Sequence, residues 1–166
     1  MLFFWGRTMS QKTAILICGF SNWGKNTVIQ NLFGKTRFAK TTDHKLHSKP
    51  FSVIQYENKC EEDFLATISD IVNSSPNRGK NIIAAIQPTK EDSNNSSKII
   101  QTAFKDYNVH IIYLVNKWDG TAQLIISNIM KFYGNSKIKH IPITATSLIA
   151  RQKEVDNAVK SIVEKI

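Results

Sequence analysis

Thr13-Ala14-Ile15-Leu16-Ile17-Cys18-Gly19-Phe20-Ser21-Asn22-Trp23-Gly24-Lys25-Asn26-Thr27 is the stretch that decides the fold. Its first six residues form an uncharged, largely apolar run that reads as a buried strand. Asn26–Phe33 follows with Val28, Ile29, Leu32 and Phe33 at helical spacing, and Gly34 marks the stop. Between strand and helix lies Gly-x-x-x-x-Gly-Lys. Such a turn cradles an anion: glycines let successive backbone N–H groups point inward, and the helix adds its positive N-terminal end. Lys25 is spaced to reach the β- and γ-phosphates of a bound nucleotide. The candidate phosphate contacts are therefore Ser21, Asn22, Trp23, Gly24, Lys25, Asn26 and Thr27. An ordinary glycine-containing turn is the plain alternative, and the strand–loop–helix setting weighs against it.

Working outward, strands and helices alternate. Lys35–Pro50 reads as a long polar loop with room for one edge strand, and Phe51–Tyr56 as a strand. Glu62–Val72 carries Phe64, Leu65, Ile68, Ile71 and Val72 on one helical face. Ser74–Lys80 is a turn, Asn81–Ile86 a strand, Pro88–Asn95 a loop and Ser96–Tyr107 a helix. Val109–Val115 is a buried strand, Gly120–Tyr133 a helix, Lys139–Ile143 a last short strand and Leu148–Lys165 the closing helix. Alternation of this kind predicts βαβ units, a mostly parallel sheet and helices on both faces. Ligands of such sheets sit at the carboxyl ends of the strands, so the loops there hold the chemistry.

The chain has 166 residues, enough for one domain with a real core. Residues 13–166 are expected to be that domain and 1–12 a tail. Leu2–Trp5 is apolar, but Arg7 follows at once, which is the wrong order for a signal peptide. A frayed tail, a true start at Met9 and a weak interfacial anchor are the readings of this segment. No apolar run approaches the ~20 residues of a membrane span. Cys18 and Cys60 have neither metal-ligand nor redox spacing, which fits a cytoplasmic protein. Lys and Arg number 22 against 13 acids, for a formal charge of +9. That excess suits RNA, a ribosome or an anionic membrane as partner, but it is spread along the chain and is mostly Lys, as an AT-rich genome also produces.

The strand Val109–Val115 runs into Asn116-Lys117-Trp118-Asp119, and Asn116 follows Lys25 by 91 residues. Asn-Lys-x-Asp can read guanine. Asp119 can accept from the N1 and N2 donors of the base, a pair adenine does not offer. Lys117 can lie over the ring, and Asn116 can tie neighbouring loops together. A polar helix start with Asp119 near an N-cap is the bland reading of the same four residues. After Ile141-Pro142-Ile143 of the last strand come Thr144, Ala145 and Thr146, which resemble the segment that GTPases place against guanine O6 through an Ala backbone N–H, here that of Ala145.

With these residues the chain resembles a small P-loop GTPase, from about Thr13 to the C-terminus. Asn31-Leu32-Phe33-Gly34-Lys35-Thr36-Arg37-Phe38 is similar to the helix end of the IMAP-like and Era-like branches, Pro88-Thr89-Lys90-Glu91-Asp92 to the IMAP-like branch, and Lys40-Thr41-Thr42-Asp43 to the Era-like branch. The resemblance implies a three-layer P-loop NTPase fold of the Ras-like G-domain type, GTP or GDP as ligand, Mg²⁺ as companion ion and a switch-one Thr at Thr41 or Thr42. Asn26 and Thr42 are then the candidate metal ligands.

Two elements depart from that pattern. Asn26 stands where a Ser or Thr hydroxyl would ligate Mg²⁺, and Glu57-Asn58-Lys59-Cys60 stands where Asp-x-x-Gly would contact metal and γ-phosphate. Glu57 could replace the Asp, and no glycine follows it. No water-positioning Gln is evident, although Glu57 or Glu61 could serve; Glu61 also suits the first turn of the next helix. Three functions are expected in competition. One is a guanine-nucleotide switch domain with weak or absent hydrolysis. Another is a pseudo-GTPase module acting through a protein effector or self-association. The third is a G domain associated with RNA or ribosome.

Overall fold

The computed structural model describes residues 11–55, 57–134 and 137–166. Leu2–Trp5, Met9 and the Tyr56 end of the expected second strand lie outside the described residues. Elements run in the order β1 (Lys12–Cys18), α1 (Lys25–Phe33), β2 (His44–Leu46), β3 (Lys49–Ile54), α2 (Glu61–Ser74), β4 (Asn81–Ile86), β5 (Lys90–Glu91) and β6 (Asn94–Asn95). Then come α3 (Ser96–Ala103), β7 (Tyr107–Leu114), α4 (Ile126–Tyr133), β8 (Ile138–Ile143) and α5 (Leu148–Val163).

Six strands form one sheet in the order β2-β3-β4-β1-β7-β8, parallel except for the β2–β3 hairpin at the edge. The central strands carry continuous apolar runs because both faces are covered: Ala14–Cys18, Ile82–Ile86 and Ile111–Leu114 are all buried. Right-handed crossovers put α1 on one face of the sheet and α2, α3 and α4 on the other. The contacts of α1 with α5 and of α2 with α3 agree with that division. The fold is thus α/β, compatible with three layers. No helix among the described residues is long and apolar enough to cross a membrane.

The register levels the strand ends. Cys18 pairs with Ile86 on one side and Tyr113 on the other, and Tyr113 with Pro142. The connection from β1 leaves toward one face, while those from β4 and β7 leave toward the other. The crevice of an open sheet therefore opens beside the carboxyl end of β1.

Five expectations are corrected. The helix expected over Gly120–Tyr133 begins only at Ile126. The earlier residues turn back on β7 instead: Lys117 N donates to Ala122 O at 2.8 Å, Leu124 N to Val115 O at 2.7 Å, and Gly120 takes a left-handed φ of 73°. The helix expected over Ser96–Tyr107 ends at Ala103, since Tyr107 already pairs with Lys12 as the first residue of β7. The Pro88–Asn95 loop contains the small β5–β6 hairpin. The expected strand from Phe51 starts at Lys49, and β1 takes in Lys12 from the expected tail.

Candidate functional site

The β1–α1 loop is shaped by its backbone. Asn22 and Gly24 both take left-handed conformations, with φ of 64° and 83°. Trp23, between them, turns inward and is buried edge-on against Phe20, and its N–H donates to Phe20 O at 3.2 Å. Lys25 opens α1 and folds back into the loop it follows. Its Nζ donates to Gly19 O at 2.7 Å and to Phe20 O at 2.6 Å, and lies 3.1 Å from Glu57 Oε1. The amine is almost wholly enclosed. Burial pulls its pKa below the ordinary lysine value, and the Glu57 carboxylate works against that fall.

Glu57 is delivered by the segment after β3. Its other oxygen, Oε2, is buried with no hydrogen-bond partner among the described residues. The next residue, Asn58, is fully buried and clamps the segment to the end of β4. Asn58 Nδ2 donates to Gln87 O at 3.1 Å and Thr89 Oγ1 at 3.0 Å, while Oδ1 accepts from Gln87 N at 2.7 Å. Asn94 Nδ2 closes the clamp by donating to Asn58 O at 2.6 Å and Lys59 O at 3.2 Å. The polar chain continues from Thr89 N to Ser96 Oγ and from Ser96 Oγ to the Tyr133 hydroxyl, 2.8 Å away.

The loop after β7 faces the β1–α1 loop. Asn116 Nδ2 donates to Thr144 O at 2.8 Å, joining the ends of β7 and β8. Trp118 Nε1 donates to Asn22 O at 2.8 Å, which links the two loops directly. Asp119 Oδ1 accepts from the Thr121 hydroxyl at 2.6 Å and the Thr121 N–H at 3.0 Å, and Oδ2 lies 3.4 Å from Lys117 Nζ. The Thr121 bonds first, and then Lys117, hold the carboxyl below its ordinary value.

These segments enclose a cleft of about 780 Å³ lined by Asn22, Gly24, Lys25, Asn26, Thr27, Glu57, Lys117, Trp118, Leu148 and Arg151. Asn22, Gly24–Thr27 and Lys117 of the expected contacts line it together. Ser21, Trp23, Asn116, Asp119 and Thr144–Thr146 are not among its lining residues; Asn116 instead joins the loop after β7 to Thr144. Thr42 is exposed and lines no part of the cleft. Asn26 and Glu57 also share a smaller recess with Lys59, Cys60 and Asp63. Of the expected metal pair, Asn26 lines the cleft and Thr42 does not, and among the described residues no three His, Cys, Asp or Glu side chains gather around a common point.

Arg151 escaped sequence reading. It is buried at the start of α5, and its Nη1 donates to Asn116 O at 3.3 Å. A Cβ on Gly24 would stand 2.8 Å from its Nη2. The signal was present: Arg151 falls on the stripe of Val155, Val159 and Ile162 that packs α5 on the core, and a cation there needs polar partners. No known protein family, no characterised protein and no solved structure matches the chain.

Proposed function

We propose that the chain is a guanine-nucleotide-binding domain of the P-loop type, taking GDP or GTP with weak or absent hydrolysis. One observation carries the reading. The Gly19–Lys25 loop and the Asn116–Asp119 loop flank a single cleft at the carboxyl end of the sheet, joined by the Trp118–Asn22 hydrogen bond. The first loop suits phosphate by its N–H groups, its helix start and Lys25. Lys117 and Trp118 of the second line the cleft, with Asp119 next in the chain as the base reader, and Leu148 and the exposed Trp118 add apolar surface for a ring.

Weak turnover follows from the chain's own residues. Asn26 lacks the hydroxyl that a metal site of this type uses, Thr42 stands away from the cleft, and Lys25 is engaged by Glu57. Mg²⁺ would screen phosphate charge if held by Asn26 and Glu57. The second reading, a module without turnover that acts through a partner or a second copy, is favoured by the Asn58 clamp. A segment held by buried bonds at both ends is poorly suited to rearrange with each nucleotide state.

Replacing the base reader tests the reading. Asp119→Ala removes an acceptor for two donors of guanine, and GDP affinity falls about thirtyfold or more. An unchanged affinity in equilibrium titration contradicts guanine recognition by this loop.

A further inference from the structure

Lys25 Nζ has three hydrogens, and three oxygens of the protein stand around it: Gly19 O at 2.7 Å, Phe20 O at 2.6 Å and Glu57 Oε1 at 3.1 Å. The first two belong to the loop itself. The third is a carboxylate from a separate segment, negatively charged and an acceptor like a phosphate oxygen. Its side chain is mostly enclosed, so solvent screens the pair little. It is also not free to swing on a loose loop. The backbone immediately after it is tied to Gln87, Thr89 and Asn94 by the fully buried Asn58.

Resting on the guanine-site reading, we infer that Glu57 makes this cleft selective for a nucleoside diphosphate over the triphosphate, by holding its carboxylate against Lys25 where a terminal phosphate would otherwise be received. The outer phosphate of a diphosphate shares Lys25 with Glu57 and has neutral partners besides, in the backbone N–H groups at the start of α1. A third phosphate extends toward Lys25 and Glu57 and meets a negative charge fixed in advance. It must displace the carboxylate from Lys25, or accept it as a close neighbour. Either course costs the triphosphate more than the diphosphate. Oε2 of Glu57 is buried without a hydrogen-bond partner among the described residues, so the share of the carboxylate charge that it carries meets no donor there.

The test compares unmodified chain with Glu57→Gln, which keeps size and shape and removes the charge. Fluorescent GDP and GTP are titrated in EDTA, so that any selectivity is the chain's own, and thermal shifts with each unlabelled nucleotide give a second readout. The unmodified chain binds GDP about tenfold or more tighter than GTP, and in Glu57→Gln GTP affinity rises about tenfold more than GDP affinity. Glu57→Asp, one methylene shorter, gives an intermediate ratio and serves if the glutamine variant does not fold. Equal affinities in the unmodified chain, or a GDP-to-GTP ratio that neither variant alters, overturn the inference while leaving the guanine site standing. Failure of every form to bind either nucleotide overturns the guanine-site reading and this inference together.

Discussion

At the residue scale, Gly24 answers to two constraints at once. Its φ of 83° is a conformation that L side chains rarely adopt, and its missing Cβ makes room for the buried Arg151 guanidinium. Gly34 has the first constraint alone: φ is 63°, and a Cβ placed there would meet nothing within 4 Å. Both glycines replaced by alanine lose about 1 kcal/mol to backbone strain. Gly24→Ala loses more, because Arg151 must leave its bond to Asn116 O. Urea unfolding of the two variants separates these contributions. Equal losses would mean that Arg151 yields its place at no cost. Lys25 shows the limit of a motif at this scale. Its spacing identifies it, whereas the carboxylate that engages it comes from a segment that matched its expected pattern poorly.

At the element scale, legibility followed periodicity. β1, α1, β4 and β8 lie within a residue of expectation; for β1, α1 and β4, apolar runs and a regular stripe leave little choice of structure. Boundaries failed where tertiary hydrogen bonds decided the outcome. Residues 120–125 have no property that forbids a helix apart from Gly120, yet Thr121 binds Asp119 and Leu124 binds back to Val115, just beyond β7. The β2–β3 hairpin turns at His47 and Ser48, with φ of 48° and 69°, so no glycine or asparagine marked it. The candidate site divides in the same way. The two loops that follow buried strands were legible from spacing. Arg151, the Trp118–Asn22 bond and the Asn58 clamp join residues from 29 to 96 positions apart, and no local pattern encodes them.

At the scale of the whole molecule, the six-stranded sheet separates two chemically different ends. At the end opposite the cleft, His110 of β7 is buried, and burial, then Lys139 and Lys165, push its imidazole down to about 4 from an ordinary 6.5. Below pH 6.5 the unfolded chain takes up a proton there that the folded chain refuses until about pH 4, so stability falls as pH drops through this window. The loss attributable to this group is on the order of 2–3 kcal/mol. His110→Gln, which carries no titrating ring, removes that part of the slope in denaturation measured between pH 7 and pH 4.5. Identical slopes would mean that His110 titrates freely in the fold. The cleft at the other end carries the central claim, that strand-end loops from β1 and β7 build one guanine site. Equilibrium titration of fluorescent GDP into the purified chain, with unlabelled GDP and ATP as competitors, tests it most directly. The account predicts micromolar or tighter binding that GDP reverses and ATP does not; displacement by ATP as readily as by GDP, or no binding at all, would contradict it.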